Sequence, residues 1–442
     1  MKKIVLILAC LTIVGAAGLP FVNGMIMERV LTRSFENINR VNENSGSRVK
    51  MQILEYNRGV FDTTVEWRID LGTTPVSGNA TEVVLVERAR HGFLGITSQT
   101  SLEQNQWYMD WVNTKLGGKD PLTIQTRYSA SGDLSSRIIL DEFAMQTKDN
   151  PLRVGSLNAL ISTDDTFETL TVKGRWNGLF EGEQNGVGPI EFESAHHRIT
   201  DLIWTGKGAI SIDRIKSDQK DKSIVVDNLT ASFDVTASQD KKNMSTGMVV
   251  NIDGINLDNT TLDNWSAGIR INQIDIAAYE ELFSLYAKVI NQSMDELSTQ
   301  GKTSEEVQEI MKRAMAQNSP KAMAALEKMM KKGFGIQVEK LDIEMPQGKI
   351  KGSMDVALKQ DVSAVQLFLL AMQPSQALEI FSLSAELDIP ESLIGERPDL
   401  TTPMFPGMAT GIFIRKGNYL HHESQIRNDE LFLNGRKVVL DR

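Results

Sequence analysis

Residues 64–70 read Thr64-Val65-Glu66-Trp67-Arg68-Ile69-Asp70. Val65, Trp67 and Ile69 alternate with Glu66, Arg68 and Asp70. A period of two places the apolar set on one face of a strand and the charged set on the other. The same pattern returns along the chain at 49–55, 81–88, 122–128, 134–143, 154–162, 167–176, 190–193, 197–204, 209–215, 224–235, 247–255 and 261–274. Turn-forming clusters separate the runs, among them Ser131-Gly132-Asp133, Ser238-Gln239-Asp240 and Asp253-Gly254. Strands that alternate strictly bury one face only. Their succession without intervening helices predicts a long antiparallel meander and excludes a nucleotide-type parallel sheet.

The period changes over 275–333. Leu282, Phe283, Leu285, Tyr286, Val289, Ile290, Met294 and Leu297 follow helical spacing. Gly301 predicts a break, and Thr303-Ser304-Glu305-Glu306 resembles a capping box that opens a second helix. Ser319-Pro320 predicts the start of a third, with Gly333 and Gly335 stopping it. Strands resume at 336–344, 349–358 and 384–389, with a helix expected within 362–381. The last strands, 419–426 and 431–440, turn at Asn428-Asp429 and Asn434-Gly435. The expected fold is mainly β with a helical insertion (α+β): a long curved antiparallel meander covered by helices, preceded by one transmembrane helix.

The first residues set the expected address. Met1-Lys2-Lys3 precedes Ile4–Val22, an uncharged run. As a helix it spans about 28 Å, close to the hydrocarbon thickness of a bilayer. The lysines orient the N-terminus inward. An uncleaved anchor, a signal cleaved near Gly15-Ala16-Ala17-Gly18, and a lipoprotein modified at Cys10 are all open; each carries residues 25–442 across a membrane. The expected organisation is an anchor or signal over 1–24, a juxtamembrane amphipathic helix over 25–48 (Met27, Val30, Leu31, Phe35, Ile38), a β-rich domain over 49–274, the helical section 275–333, and a C-terminal β-rich part of the same domain over 334–442.

Composition narrows the function classes. The chain has 442 residues, 47 Lys plus Arg and 57 Asp plus Glu, a net charge of −10. An acidic balance excludes the basic footprint that nucleic acid requires. A single Cys and five His exclude cysteine metal sites and disulfide frameworks. His196-His197 and His421-His422 are adjacent pairs on strand-like segments, so each pair points to opposite faces and chelates no single metal. No Gly-x-Ser-x-Gly, P-loop or Gly-x-Gly-x-x-Gly occurs. Asp164-Asp165 reads as a turn. No catalytic residue, cofactor or metal is expected.

Several motifs together resemble one family. Tyr56-Asn57-Arg58-Gly59-Val60-Phe61 has the pattern Tyr-x-Arg-Gly-hydrophobic-Phe, and His91-Gly92-Phe93 matches His-Gly-Pro with Phe in place of Pro. Tyr128-Ser129-Ala130-Ser131-Gly132, Ile271-Asn272-Gln273-Ile274-Asp275, Lys332-Gly333 and Leu433-Asn434-Gly435 follow in order. With the N-terminal apolar run, this order resembles the YdgA-like family of bacterial proteins of unknown function. The resemblance implies an inner-membrane anchor with a periplasmic β-rich domain, and no activity or catalytic residue. Read physically, Gly59 permits a tight turn and Arg58 stacks on Tyr56 or pairs with a carboxylate, either in a structural turn or as a membrane-proximal binding contact. His91 is a strand-end hydrogen-bonding residue or a proton donor or ligand.

Met294, Met311, Met315, Met329 and Met330 crowd the helical section. Methionine suits adaptable apolar surfaces, so these residues form a candidate hydrophobic groove, or else the underside of a helical layer on the sheet. The expected function is that of a non-enzymatic envelope protein that binds or organises a hydrophobic, lipid-like ligand. The alternative is an assembly factor acting by self-association as a homo-oligomer, with a periplasmic hydrolase third.

Overall fold

The computed structural model describes residues 2–71, 82–93, 95–146, 150–182, 185–219, 222–257, 260–297, 304–363, 365–366, 369, 373–396 and 411–439. The chain divides into two compact units. Unit 1 comprises Met1–Glu183, Pro189–Trp204 and Tyr286–Ala316; unit 2 comprises Gln184–Gly188, Thr205–Leu285 and Gln317–Arg442.

Unit 1 opens with one helix, α1 (Lys2–Asn44). The expected boundary between an anchor and a separate helix at 24/25 is not a break: residues 21–44 contain no proline and only one glycine, Gly24, so nothing stops propagation. The helix ends through Ser47, whose N–H donates to the Asn42 carbonyl, with Gly46 at φ +71.

The strands that follow are β1 (Lys50–Arg58), β2 (Asp62–Asp70), β3 (Glu82–His91), β4 (Gly95–Leu102), β5 (Leu122–Ser129), β6 (Leu134–Leu140), β7 (Phe143–Gln146), β8 (Pro151–Val154), β9 (Leu157–Thr163), β10 (Thr169–Trp176), β11 (Leu179–Glu181) and β13 (Ile190–Arg198); β12 (Asn185–Val187) belongs to unit 2. The pairing runs β1–β2–β3–β4–β5–β6–β9–β10–β13, antiparallel throughout. β7, β8 and β11 form a side ribbon. Two expected strands are divided differently. Residues 154–162 split between β8 and β9 at Gly155. The segment 197–204 is a turn at its centre, where the Ile199 and Thr200 amides donate to the Ile203 carbonyl. A short helix, α2 (Gln106–Lys115), escaped the periodic reading; Asn105 caps it by accepting from the Tyr108 amide at 2.9 Å.

The unit 1 core is where α1 meets the sheet. Met27, Val30, Leu31 and Phe35, the stripe read from the sequence, are buried against Val65, Ala89, Ile96 and Tyr128. Phe35 and Trp67 pack with ring centroids 5.3 Å apart. Asn39 bonds the edge strand twice, accepting from the Met51 amide and donating to its carbonyl at 2.7 and 2.8 Å. The helix thereby covers an edge that otherwise invites pairing.

Unit 2 contains the meander in its simplest form. After β12 come β14 (Trp204–Gln219), β15 (Lys222–Ala237), β16 (Asn243–Leu257) and β17 (Thr260–Asp275), then β18 (Gly335–Met345), β19 (Gly348–Leu358), β20 (Phe381–Pro390), β21 (Ile414–Lys416), β22 (Tyr419–Arg427), β23 (Glu430–Leu433) and β24 (Arg436–Val438). Neighbours in sequence are neighbours in space, with β22 beside β20 and β21 beside β22. Both expected two-residue turns form: Asn428, Asp429, Asn434 and Gly435 all have positive φ.

Asp253-Gly254 is not a turn; it lies inside β16. At that level Asp213, Asn228, Asp253 and Asn264 stand outside the ladder on four adjacent strands, and pairing resumes on both sides in unchanged register. Asn228 and Asn264 have φ of 52 and 49. Apolar spacing widens there from two to three: Ile212 to Ile215, Val226 to Leu229, Ile252 to Ile255, Leu262 to Trp265. That spacing returns apolar side chains to one face after an unpaired residue.

Between β17 and β18 lie two helices, α3 (Ile276–Leu297) and α4 (Ser304–Met329). Asp275 caps α3 through the Ala278 amide at 2.8 Å. The expected third helix is absent, because α4 continues through Pro320; good helix formers on both sides outweigh the lost donor. Gly301 and Thr303 lie outside the described residues, as do 364, 367, 368 and 370–372 of the helix expected within 362–381; of the rest, 365, 366 and 369 are helical and α5 spans Ala377–Ile380. A last short helix, α6, spans Glu391–Glu396. The helix that covers a sheet is α1. In unit 2 the apolar residues Phe233, Met248 and Ile269 stay 42%, 47% and 42% exposed.

Candidate apolar binding sites

Two apolar features stand out, one in each unit. In unit 2 the register aligns Phe233, Met248, Ile269 and Val338 across β15 to β18. Parallel rows follow, such as Ala231, Val250 and Ala267. None of these side chains is fully buried. A contiguous apolar face of this kind marks a binding or association surface in a soluble domain. The opposite face is polar and internally paired. Arg270 on β17 reaches across Gly247 to Asp234 with two hydrogen bonds of 2.9 and 3.0 Å, and bonds Glu339 at 2.6 Å. Gly247 makes this possible, since a Cβ there would lie 2.6 Å from Arg270 Nη2.

In unit 1 the packing of α1 on the sheet leaves a cavity of about 500 Å³. Its walls include Leu31, Phe35 and Ile38 from the helix and Trp67, Ile124 and Ile161 from the sheet. Two buried donors there have no hydrogen-bond acceptor among the described residues: Trp67 Nε1 and Arg198 Nη1. Such groups cost about 1–3 kcal/mol each when unpaired. Glu87 also reaches this interior. It is 2% exposed and accepts hydrogen bonds from Ser98 Oγ at 2.5 Å and Tyr128 Oη at 2.8 Å. Burial raises its pKa despite those two bonds, and burial likewise holds Tyr128 far above the ordinary phenol value.

The motif residues converge at one end of unit 1 and hold α1. Tyr56 Oη donates to the Gly24 carbonyl at 3.1 Å, and Asn23 Nδ2 donates to the Gly92 carbonyl at 2.6 Å. Arg58 pairs with Glu28 at 2.7 Å and lies 5.0 Å from the Phe21 ring centroid. Burial pushes the Tyr56 pKa up to about 12, which keeps the phenol a donor. His91 Nδ1 lies 3.1 Å from the Val60 carbonyl and Nε2 2.8 Å from Thr63 Oγ1. A carbonyl only accepts, so Nδ1 carries a proton, and the bond between Nε2 and Thr63 holds the other side of the ring. Gly59 closes the β1–β2 turn by donating to the Asp62 carbonyl at 2.8 Å. Gly24 is required by proximity: a Cβ there would lie 2.5 Å from His91 Cε1.

The methionines do not gather into one described groove. The side chains of Met294 and Met311 lie outside the described residues. Met315 is exposed, Met329 is half-buried, and Met330 packs against the small core of Leu358, Val362 and Ile380. Among the histidines, His196 and His197 point to opposite faces as expected. His421 is buried, with Nδ1 2.7 Å from Asp388 Oδ1. With Glu386 it forms a group whose donor atoms lie within 4.8 Å of one another. The direct imidazole–carboxylate bond satisfies the buried Nδ1. Asp164 holds the β9–β10 turn. Partial burial opposes ionisation, but hydrogen bonds from Thr166, Thr169 and Glu168 outweigh it and lower the pKa.

Among the described residues no helix is long and apolar enough to cross a membrane. The side chains of residues 1–20, which hold most of the apolar run, lie outside them. No curated protein and no solved structure matches the chain. A family model of bacterial proteins of unknown function matches residues 1–441, and the chain therefore belongs to the DUF945 family.

Proposed function

We propose that this is a non-enzymatic envelope protein of the YdgA-like type, anchored in the inner membrane by Ile4–Val22, whose periplasmic part holds a lipid-like ligand. The observation that carries the reading is the apolar face of unit 2, on which Met248 and Ile269 stay 47% and 42% exposed in one cross-strand row. A contiguous exposed apolar face marks a binding or association surface. The cavity of unit 1 suits an acyl chain ending in an acceptor group, which would satisfy Trp67 Nε1 and Arg198 Nη1.

The test is mass spectrometry of lipids retained by the full chain after transfer into nanodiscs of one synthetic lipid. Host lipid species retained in stoichiometric amount support the reading. A chain free of host lipid overturns it, and concentration-dependent oligomers would then favour self-association through the same face.

A further inference from the structure

The edge of unit 1 that carries the β1–β2 and β3–β4 turns has an apolar rim. Phe61 is 60% exposed and Phe93 is 59% exposed, and Val60 stands exposed beside Phe61. Phe21, Val22 and Met25 of α1 are exposed as well. The clamp described above brings these together. Asn23 bonds Gly92, next to Phe93, while His91 bonds the Val60 carbonyl through its ring and the Phe61 carbonyl through its amide. The rim thus flanks α1 on its sheet side at the level where the apolar run Ile4–Val22 ends. The next turns along the same edge carry Ser131 and Asp133 in one, and Asp164, Asp165 and the half-buried Phe167 in the other. Among the described turns of this edge, the exposed aromatic tips are Phe61 and Phe93, beside the helix.

Above the rim, on the outer face of the sheet, stand unpaired arginines. The register sets Arg90, Thr97 and Arg127 in one cross-strand row. Arg88 and Arg137 lie in the next, and all four line one hollow of about 880 Å³. None of the four has an ion pair or hydrogen bond among the described residues, although Arg68 and Arg175 on the same face pair with Glu82 and Glu191. Arg90 lies within β3 and Phe93 in the turn that follows it. An apolar rim followed by arginines is the order of a bilayer surface, where aromatic rings occupy the interface and arginines reach the phosphates.

We propose that this edge docks on an anionic bilayer, with Val60, Phe61 and Phe93 in the interfacial layer around the entry point of α1 and Arg90 and Arg127 on lipid phosphates. The inference rests on the anchoring part of the reading above and is independent of the lipid-like ligand. It fixes which end of unit 1 faces the membrane.

The experiment uses the full chain with Cys10→Ser and one new cysteine at a time: Phe61→Cys, Phe93→Cys or Lys115→Cys, the last on α2 beyond the opposite ends of the strands. A polarity-sensitive fluorophore is attached, and the protein is placed in phosphatidylglycerol–phosphatidylethanolamine nanodiscs containing spin-labelled lipid. Labels at 61 and 93 should shift to the blue and be quenched by shallow spin labels, while the label at 115 is not. The pair Arg90→Gln with Arg127→Gln should weaken docking about 25-fold, at about fivefold for each arginine near an anionic surface. Equal quenching at 61, 93 and 115 overturns the proposal, and a label at Cys10 of the unsubstituted chain, quenched from the bilayer centre in the same kind of disc, shows that anchoring still holds. If Cys10 is not quenched either, both readings fall. Energy transfer between labelled copies without lipid quenching also overturns it, in favour of a second copy on the rim.

Discussion

Replacing Phe233 and Met248 together by Glu tests the ligand-holding face where it is most exposed. Both side chains still show close to half their surface, 42% and 47%. A large apolar side chain buries about 200 Å² when fully covered, so a ligand seated here removes roughly 85–95 Å² from water at each. At about 25 cal/mol per Å², each contact contributes about 2 kcal/mol. Loss of both removes about 4 kcal/mol, close to a thousandfold in Kd, before any cost of desolvating the new carboxylates. Because both residues are already half in water, the folded state should lose little: thermal unfolding should shift by a few degrees at most. The assay is displacement of a fluorescent fatty acid from the full chain, alongside the lipid mass spectrum. A double variant that unfolds like the parent yet binds within tenfold of it would refute the assignment of this face as the ligand site. The same substitutions abolish self-association instead if the face joins two copies.

Three further outcomes follow from the geometry. Glu87→Gln keeps acceptors for Ser98 and Tyr128 but removes a buried ionisable group. The raised pKa of Glu87 gives stability that is present below the unfolded carboxylate range and lost as pH rises through the folded value; the variant should therefore gain on the wild type from pH 4 upward in melting experiments, and a pH-independent difference would contradict the burial argument. Gly24→Ala drives a methyl into His91 and should loosen the clamp at a cost of about 1–3 kcal/mol, seen as faster hydrogen exchange at residues 59–62 and 91–93. Gly247→Val displaces Arg270 from Asp234 and should cost about 1.5–3 kcal/mol in urea unfolding; adding Arg270→Ala should then cost almost nothing more, and full additivity would exclude the crossing described.

Much of the fold was legible because one-sided burial leaves a period in the sequence. Val65, Trp67 and Ile69 identify a strand by themselves, and Asn434-Gly435 a hairpin. The errors came where one local signal serves two structures. Asp253-Gly254 has the composition of a turn, yet β16 uses it as an interruption; the widened spacing from Ile252 to Ile255 was the distinguishing sign. Ser319-Pro320 has the composition of a helix start, yet α4 runs through it. The sites were less legible. Glu87 breaks the inward set Leu85, Ala89 and His91, which hints at a buried carboxyl, but its partners Ser98 and Tyr128 lie on other strands at separations no local pattern encodes. The cavity arises from how α1 seats on the sheet, which is a matter of shape. The motif residues Tyr56, Arg58, Gly59, His91 and Gly92 were found by order alone, and their common task of holding the helix emerged only in three dimensions.

The unbroken helix α1 has a mechanical consequence. Its 43 residues make a rod of about 65 Å. The portion carrying Ile4–Val22 runs as helix into the portion cemented into unit 1 by Met27, Leu31 and Phe35. Pro20 lies about two turns before Met27, and its nitrogen has no hydrogen to give the carbonyl four residues back, so the rod has one weak point just ahead of the packed stretch. A tilt imposed near its first turns reaches the unit 1 sheet only through that point, and Pro20→Ala would make the orientation of the sheet follow that of the rod more closely.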